Sequence, residues 1–289
     1  MGAVHEPIIG RYVKVPHGGY DYRVYYEEAG EGVPLVCLHT AGADSREYRH
    51  QLCDSEITDK FRVIAFDLPR HGKSIPPVGF EKEEYRLTGD FYSEFVVAFC
   101  EALELEKPVI MGCSMGGNIC LHLAANHEER FGALISLEGS EYSPGWHISW
   151  LHHPQVHGGE ACATSVFGLM APQSPDEYRW ETWWYYSQGG PGIFKGDLYF
   201  YSVDHDFREM TDTISGDLPI YFLTGEYDFA CTPENSEATA QKIKGAEYML
   251  MEDIGHFPTS ENPEVFKKYL MPVLEKIQKA ESKPTKAKA

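Results

Sequence analysis

The run Met111-Gly112-Cys113-Ser114-Met115-Gly116-Gly117 constrains this chain more than any other feature. It joins an apolar, strand-like segment (PVI) to a helix-like one (NICLHLAANH). A G-x-S-x-G between strand and helix makes a sharp turn that holds its serine at strained backbone angles. Small residues at 112 and 116 let neighbouring backbone come close. The start of the following helix directs N–H groups and a positive dipole end at any negative charge developing nearby. The turn therefore projects the Ser114 hydroxyl from the end of a strand. A tight turn without chemistry is the alternative, and it leaves the strand–turn–helix setting unused.

The rest of the chain repeats that setting. Residues 8–15 and 21–28 read as an opening antiparallel pair. Residues 34–39, 62–67, 108–113 and 132–137 are near-continuous apolar runs, the pattern of strands buried on both faces. Helix candidates lie between them at about 45–54, 90–105 and 115–127. The alternation stops near Gly139 and resumes near Pro219, with strands at 219–225 and 246–252 and helices at 233–244 and 263–278. There is no internal repeat. This predicts an α/β fold with a mostly parallel central sheet flanked by helices. Residues 1–139 would form the first part of the core, 140–215 an inserted, mainly helical lid, and 216–289 the second part. The polar tail ESKPTKAKA is expected to fray.

The insertion has its own composition. All five tryptophans (146, 150, 180, 183, 184) fall in it, with Tyr178, Tyr185, Tyr186, Tyr199 and Tyr201. Interrupting the strand series at this point puts it over the carboxyl edge of the sheet, where open α/β sheets bind ligands. Trp146, Trp183, Trp184 and Glu138 are the expected substrate contacts, and an apolar or ring-bearing substrate is implied. The alternative is an aromatic packing or dimer surface, which would make the protein a homodimer.

A serine nucleophile needs a base, and the base needs an orienting acid. Asp228 follows the strand-like PIYF and His256 follows AEYML, so both point at the same sheet edge as Ser114. His256 sits in Gly255-His256-Phe257-Pro258-Thr259-Ser260-Glu261-Asn262-Pro263, and Asp228 in a G-E-Y-D-x-x-x-x-P loop. Glu138, after the strand-like GALISL, competes for the role of acid; otherwise it is a lid-hinge or supporting residue.

With these residues in place the chain resembles the α/β-hydrolase superfamily over nearly its whole length. Leu38-His39-Thr40-Ala41-Gly42 is similar to that family's His-Gly oxyanion loop, and Asp67-Leu68-Pro69-Arg70-His71-Gly72-Lys73-Ser74 to its D-x-x-G-x-G-x-S turn. The resemblance implies an oxyanion hole made by the Ala41 and Met115 N–H groups, with no cofactor and no metal. Two positions depart from the pattern: Thr40 and Arg70 each stand where a glycine is usual. The Thr40 hydroxyl is a candidate third oxyanion donor; the alternative is that it only packs or bonds locally.

Nucleophile type narrows the chemistry. Dehalogenases and epoxide hydrolases of this fold carry Asp at the elbow, and dienelactone hydrolases carry Cys. Cys113 is one position early. Serine carbon–carbon hydrolases of ring-cleavage pathways typically show Trp after the catalytic His, where this chain has Phe257. Hydrolysis of an ester or lactone is the first expectation, and carbon–carbon bond hydrolysis of an aromatic breakdown product the second. A perhydrolase or hydroxynitrile-lyase-like activity would use the same groups. A binding protein that keeps the triad without turnover is the non-enzymatic reading. The formal net charge of −19 argues against binding nucleic acid or anionic membranes, and no apolar run reaches the roughly 18 residues of a membrane span. The start of the chain does not read as a secretory signal. Seven cysteines without a CxxC read as buried thiols in a reducing cytoplasm. His152, His153, His157 and Glu160 match no metal-site spacing. Asp204-His205-Asp206 reads as a turn at the lid's end with a chance of touching substrate, and Arg46 and Arg49 as helix-surface charges.

Overall fold

The computed structural model describes residues 2–153 and 155–281. Among these, eight strands form one sheet: β1 (Ile9–His17), β2 (Tyr20–Ala29), β3 (Val33–Leu38), β4 (Phe61–Phe66), β5 (Val109–Cys113), β6 (Ala133–Leu137), β7 (Ile220–Gly225) and β8 (Glu247–Met251). Their order is β1-β2-β4-β3-β5-β6-β7-β8. β2 runs antiparallel to both β1 and β4; the other neighbours are parallel.

The continuous apolar runs are explained by two cores, one on each face. Leu35 and Cys37 of β3 and Met111 and Cys113 of β5 join Phe266, Leu270 and Leu274 of the helix Pro263–Glu281. Val36, Leu38 and Ile110, the residues between, join Phe95 and Phe99 of the helix Gly89–Ala102 and Ile119 and Leu123 of the helix Met115–Asn126. Each fully buried Leu or Phe contributes about 1.5–3 kcal/mol. Truncating one, such as Phe99 stacked on Phe66 with centroids 4.0 Å apart, would cost about 3–5 kcal/mol.

The helices differ from expectation mainly at their ends. The segment expected as one helix over 45–54 opens as a 3-10 turn, Ser45–Tyr48, before the helix Arg49–Cys53. The Asp44 carboxylate caps that turn, accepting the Arg46 N–H at 3.1 Å, and the Tyr48 hydroxyl donates to the Leu38 carbonyl at 2.8 Å. The helix expected to reach 105 stops at Ala102, because Glu104 takes a left-handed conformation (φ 54°). Ser55–Thr58 and Pro258–Glu261 form helical turns too short to leave a periodic signal.

β6 and β7 are neighbours, paired from Leu134↔Ile220 to Leu137↔Leu223, so the chain between them leaves and re-enters the sheet at its carboxyl edge. That excursion holds the helices Gly158–Phe167, Asp176–Tyr186 and Ile193–Tyr199 and a π turn, Phe200–Asp204. Cys162, Val166, Met170, Tyr185 and Tyr186 cluster there with Ala43 and Phe257 of the core. Arg49 bonds Glu181 at 2.7 Å and Arg46 bonds Gln188 at 2.7 Å, so both arginines tie the core to the excursion. All seven cysteines are free, and six are buried. No described helix is long and apolar enough to cross a membrane. Residues 282–289 of the tail lie outside the described residues.

Candidate active site

Ser114 links β5 to the helix Met115–Asn126 with φ 56° and ψ −113°, angles an L-residue adopts only under strain. Glycines make the turn possible. A Cβ on Gly112 would meet the Gly116 carbonyl oxygen at 2.0 Å, and one on Gly116 the Leu38 carbonyl oxygen at 2.5 Å. The Ser114 N–H is anchored on the Leu137 carbonyl of β6 at 2.9 Å.

His256 and Asp228 come from the loops after β8 and β7. His256 Nε2 lies 2.8 Å from Ser114 Oγ, and His256 Nδ1 lies 2.7 Å from Asp228 Oδ2. The other Asp228 oxygen accepts the Ala230 and Cys231 N–H groups at 2.7 and 3.1 Å. This fixes which carboxylate oxygen faces the histidine. All three side chains are buried. The His256 N–H donates to the Leu169 carbonyl of the excursion at 3.1 Å, and the Cys113 thiol donates to the His256 carbonyl at 3.4 Å. The cysteine thus faces the core.

Glu138 does not reach the imidazole as a second orienting acid. It is buried beneath the loop that carries Asp228, and both its oxygens accept the Gly225 N–H at 3.0 Å. Its ligand-capable oxygen lies within 4.8 Å of those of Asp228 and His256. Burial, then the charge of Asp228, push its carboxyl well above the usual range, which favours the neutral acid at this position. It does not line the pocket, so its assignment as a substrate contact is corrected.

The loop after β3 is held by buried acids that its sequence does not announce. The Glu47 carboxyl accepts both the Thr40 N–H (2.8 Å) and the Thr40 hydroxyl (3.1 Å), and the Tyr186 hydroxyl bonds the same threonine. Thr40 is therefore fully engaged and is not a third oxyanion donor; it ties the loop to Glu47 and to the helix Asp176–Tyr186. Burial raises the Glu47 carboxyl to about 8. Asp197, from the excursion, accepts the Gly42 N–H at 2.7 Å, His71 Nε2 at 2.8 Å and the Tyr85 hydroxyl at 2.9 Å. His39 accepts the Leu68 N–H on Nε2 and meets the Thr40 carbonyl through Nδ1, which requires a neutral ring protonated on Nδ1; burial lowers it to about 4. With these bonds made, the Ala41 N–H has no partner among the described residues. Met115, first in its helix, has no helical acceptor for its N–H. Both are free to face an oxyanion.

The later turn closes the support. Asp67 accepts the Ser45 N–H at 2.8 Å and the Lys73 N–H at 2.7 Å. Arg70 is left-handed (φ 82°), the conformation the usual glycine supplies, and its guanidinium lies over the Tyr85 ring at 5.0 Å. That cation–π contact offsets the roughly 1 kcal/mol a non-glycine residue pays there. Glu261 lies in the segment after His256, where its sequence context gives it no distinct signal. Its carboxyl accepts the Gly255 and Ala171 N–H groups and the Ser174 hydroxyl, clamping the histidine loop to the excursion. Burial raises it to about 7.

Above Ser114 is a narrow cavity of about 50 Å³. Trp146, Val166, Leu169, Phe194, Leu198 and Tyr201 line it from the excursion, facing Ala41, Ala230 and Phe257. Its described lining includes no Lys, Arg, Asp or Glu. Of the three tryptophans expected to touch substrate, only Trp146 lines the cavity. Trp183 packs inside the excursion's own cluster, and Trp184 is 61% exposed. On the helix DEYRWETWWYY, Trp184 lies on the face away from the Tyr185–Tyr186 contact with the core, whereas Trp183, three residues before Tyr186, flanks that contact. Asp204-His205-Asp206 also misses the cavity: Asp204 accepts the Gly89 N–H at 2.7 Å, His205 pairs with His122 at 3.1 Å, and Asp206 pairs with Arg208. His157 caps the helix Gly158–Phe167; the side chain of His152 lies outside the described residues.

Residues 33–156 match the family model of the alpha/beta hydrolase fold. A 2-hydroxy-6-oxononadienedioate/2-hydroxy-6-oxononatrienedioate hydrolase of Paraburkholderia phymatum is 29% identical over 145 residues, 48% of this chain and 48% of that protein. A 2-hydroxy-6-oxo-6-phenylhexa-2,4-dienoate hydrolase of Comamonas testosteroni is 32% identical over 133 residues, 43% of this chain and 44% of its own. The chain spans about half the length of the curated relatives it matches. Solved structures agree over a greater length. A thermophilic esterase from Thermogutta terrifontis superimposes with a TM-score of 0.80 at 21% identity, covering 93% of this chain and 99% of that one. The enol-lactonase of Burkholderia xenovorans does so with a TM-score of 0.77 at 21% identity, covering 92% and 100%.

Proposed function

The chain has the α/β-hydrolase fold, and on it we propose a serine hydrolase that cleaves the carboxylic ester or lactone of a small, uncharged, apolar or aromatic molecule through an acyl-enzyme. The observation that carries this reading is the unbroken relay Asp228–His256–Ser114 at the floor of a cavity without a charged wall. Ser114 Oγ attacks the carbonyl carbon while its proton passes to His256 Nε2. Asp228 holds the Nδ1–H tautomer and stabilises the imidazolium. The Ala41 and Met115 N–H groups receive the oxyanion, each worth about 3–4 kcal/mol in the transition state. The imidazolium then protonates the leaving oxygen, and water repeats the sequence on the acyl-enzyme.

Carbon–carbon bond hydrolysis of a ring-cleavage product is the second reading, favoured by the names of the sequence relatives. A dioate or dienoate substrate carries at least one carboxylate. Buried in this cavity it would have no cation to pair with, at a cost of several kcal/mol. The absence of a basic side chain from the described lining therefore supports the ester or lactone. Steady-state kinetics on neutral aryl and alkyl esters, lactones and carboxylate-bearing ring-cleavage diketones test the choice. The neutral esters or lactones should give the highest kcat/KM; a preference for the diketone acids would overturn it.

A further inference from the structure

We propose that the Tyr201 hydroxyl is a substrate-binding group of this site, a hydrogen-bond donor to the leaving-group oxygen of the bound ester or lactone. The proposal rests on the serine-hydrolase reading and adds to it the group that recognises the scissile C–O oxygen.

Tyr201 is 2% exposed and lines the cavity with Ser114 and His256. Its hydroxyl is fully buried and has no hydrogen-bond partner. The Ser114 and Ser143 hydroxyls are within its electrostatic reach, but it makes a hydrogen bond of ordinary geometry with neither. Ser114 faces His256, and Ser143 meets Ser140 at 3.2 Å and Asn118 at 3.4 Å. Buried hydroxyls are nearly always paired in native proteins, and an orphan costs the full loss of its hydration. Among the described residues the other such side-chain atoms belong to Gln51, Tyr92, Glu141 and Arg179, none of which lines this cavity. Tyr201 is the orphan that faces the nucleophile.

The backbone that presents it is also unusual. Tyr201 lies in the π turn Phe200–Asp204, closed by the His205 N–H on the Phe200 carbonyl at 2.9 Å. A π turn fits one extra residue into a helical turn and re-aims the side chains beside it, and such turns concentrate at functional sites.

Its position selects the oxygen. The oxyanion donors Ala41 and Met115 come from the loop after β3 and the start of the nucleophile helix, whereas Tyr201 reaches the cavity from the excursion. The second oxygen of the tetrahedral intermediate, the leaving one, is the acceptor left for it. Burial pushes the phenol well above its ordinary range, so it stays a neutral donor. No proton leaves it. The Ser114 Oγ–C bond forms as the serine proton moves to His256, and the C–O bond to the leaving group breaks as that same proton moves to the departing oxygen.

Sulfur is a poor hydrogen-bond acceptor, so matched ester and thioester substrates isolate the contact. Tyr201→Phe removes only the hydroxyl. It should lower kcat/KM for the ester about tenfold, leave the thioester within about twofold, and so collapse the ester-to-thioester ratio about tenfold. The melting temperature should be unchanged or higher, because an orphaned polar atom has been removed. Unchanged kcat/KM for both substrates in the variant, or equal losses on both, would overturn the proposal while leaving the serine-hydrolase reading intact. A wild-type enzyme that turns over neither substrate would overturn both.

Discussion

Replacing Asp228 by Asn should disable catalysis by reversing one hydrogen bond. The Asp228 oxygen that faces away from the histidine accepts two backbone N–H groups, from Ala230 and Cys231. An amide at this position must keep its oxygen there, since its NH2 would clash with two donors. The NH2 is then turned toward His256 Nδ1, now 2.7 Å from the carboxylate. The ring must accept on Nδ1, carry its proton on Nε2, and point an N–H at Ser114, which it can no longer deprotonate. Such a tautomer reversal costs about 10⁴ in kcat, or roughly 5 kcal/mol of transition-state stabilisation. Glu138→Gln is the matched control. Glu138 has its carboxyl raised by burial and accepts the Gly225 N–H, so glutamine reproduces the neutral form and its acceptor, and kcat should fall less than about tenfold. The assay is kcat for both variants on one ester, with melting temperatures to show that each is folded. A crippled Glu138→Gln beside a mild Asp228→Asn would refute the assignment of the acid and the reasoning from the two N–H groups.

Two further outcomes follow from the supporting residues. Glu47 has a raised pKa, about 8, so its contribution to stability is fully present below the unfolded value of about 4.3 and is lost as pH rises through about 8. Glu47→Gln should remove that dependence and gain on the wild type between pH 5 and 8.5, by at most about 5 kcal/mol in urea unfolding; a gap constant with pH would show that Glu47 is ionised throughout. Trp146→Ala should change the ranking of bulky against small esters, whereas Trp184→Ala, at an exposed position, should leave every kcat/KM within about twofold; equal effects would mean that the tryptophans serve only the stability of the excursion.

Ser114, Asp228 and His256 are legible in the sequence because each sits in a short segment whose strand or turn character is local. The parallel strands are legible for the same reason: burial on both faces writes a continuous apolar run. The supporting acids are not. Glu47 reaches Thr40 only 7 residues away, but across a loop without a periodic pattern, while Asp197 and Glu261 act on Gly42 and Ala171, 155 and 90 residues away, through bonds that exist only after the excursion has docked. Their one signal would have been acidic residues at positions too apolar in context to be solvated. Trp183 and Trp184 mislead because composition marks them as ligand contacts, while the helical phase turns Trp184 to solvent and Trp183 is taken up by the packing of the excursion. Tyr201 was one tyrosine among several in the block. What distinguishes it is a π turn, which displaces the helical phase by one residue and leaves no mark on hydrophobic periodicity.

The central claim is that Ser114 is a nucleophile activated by His256. The most direct measurement is labelling of the purified protein by a fluorophosphonate probe, with the site mapped by mass spectrometry, beside ester turnover by wild type and Ser114→Ala. The account predicts one adduct, on Ser114, and in the variant no adduct and a kcat lower by about 10⁶. An adduct elsewhere, or undiminished turnover by Ser114→Ala, would contradict it.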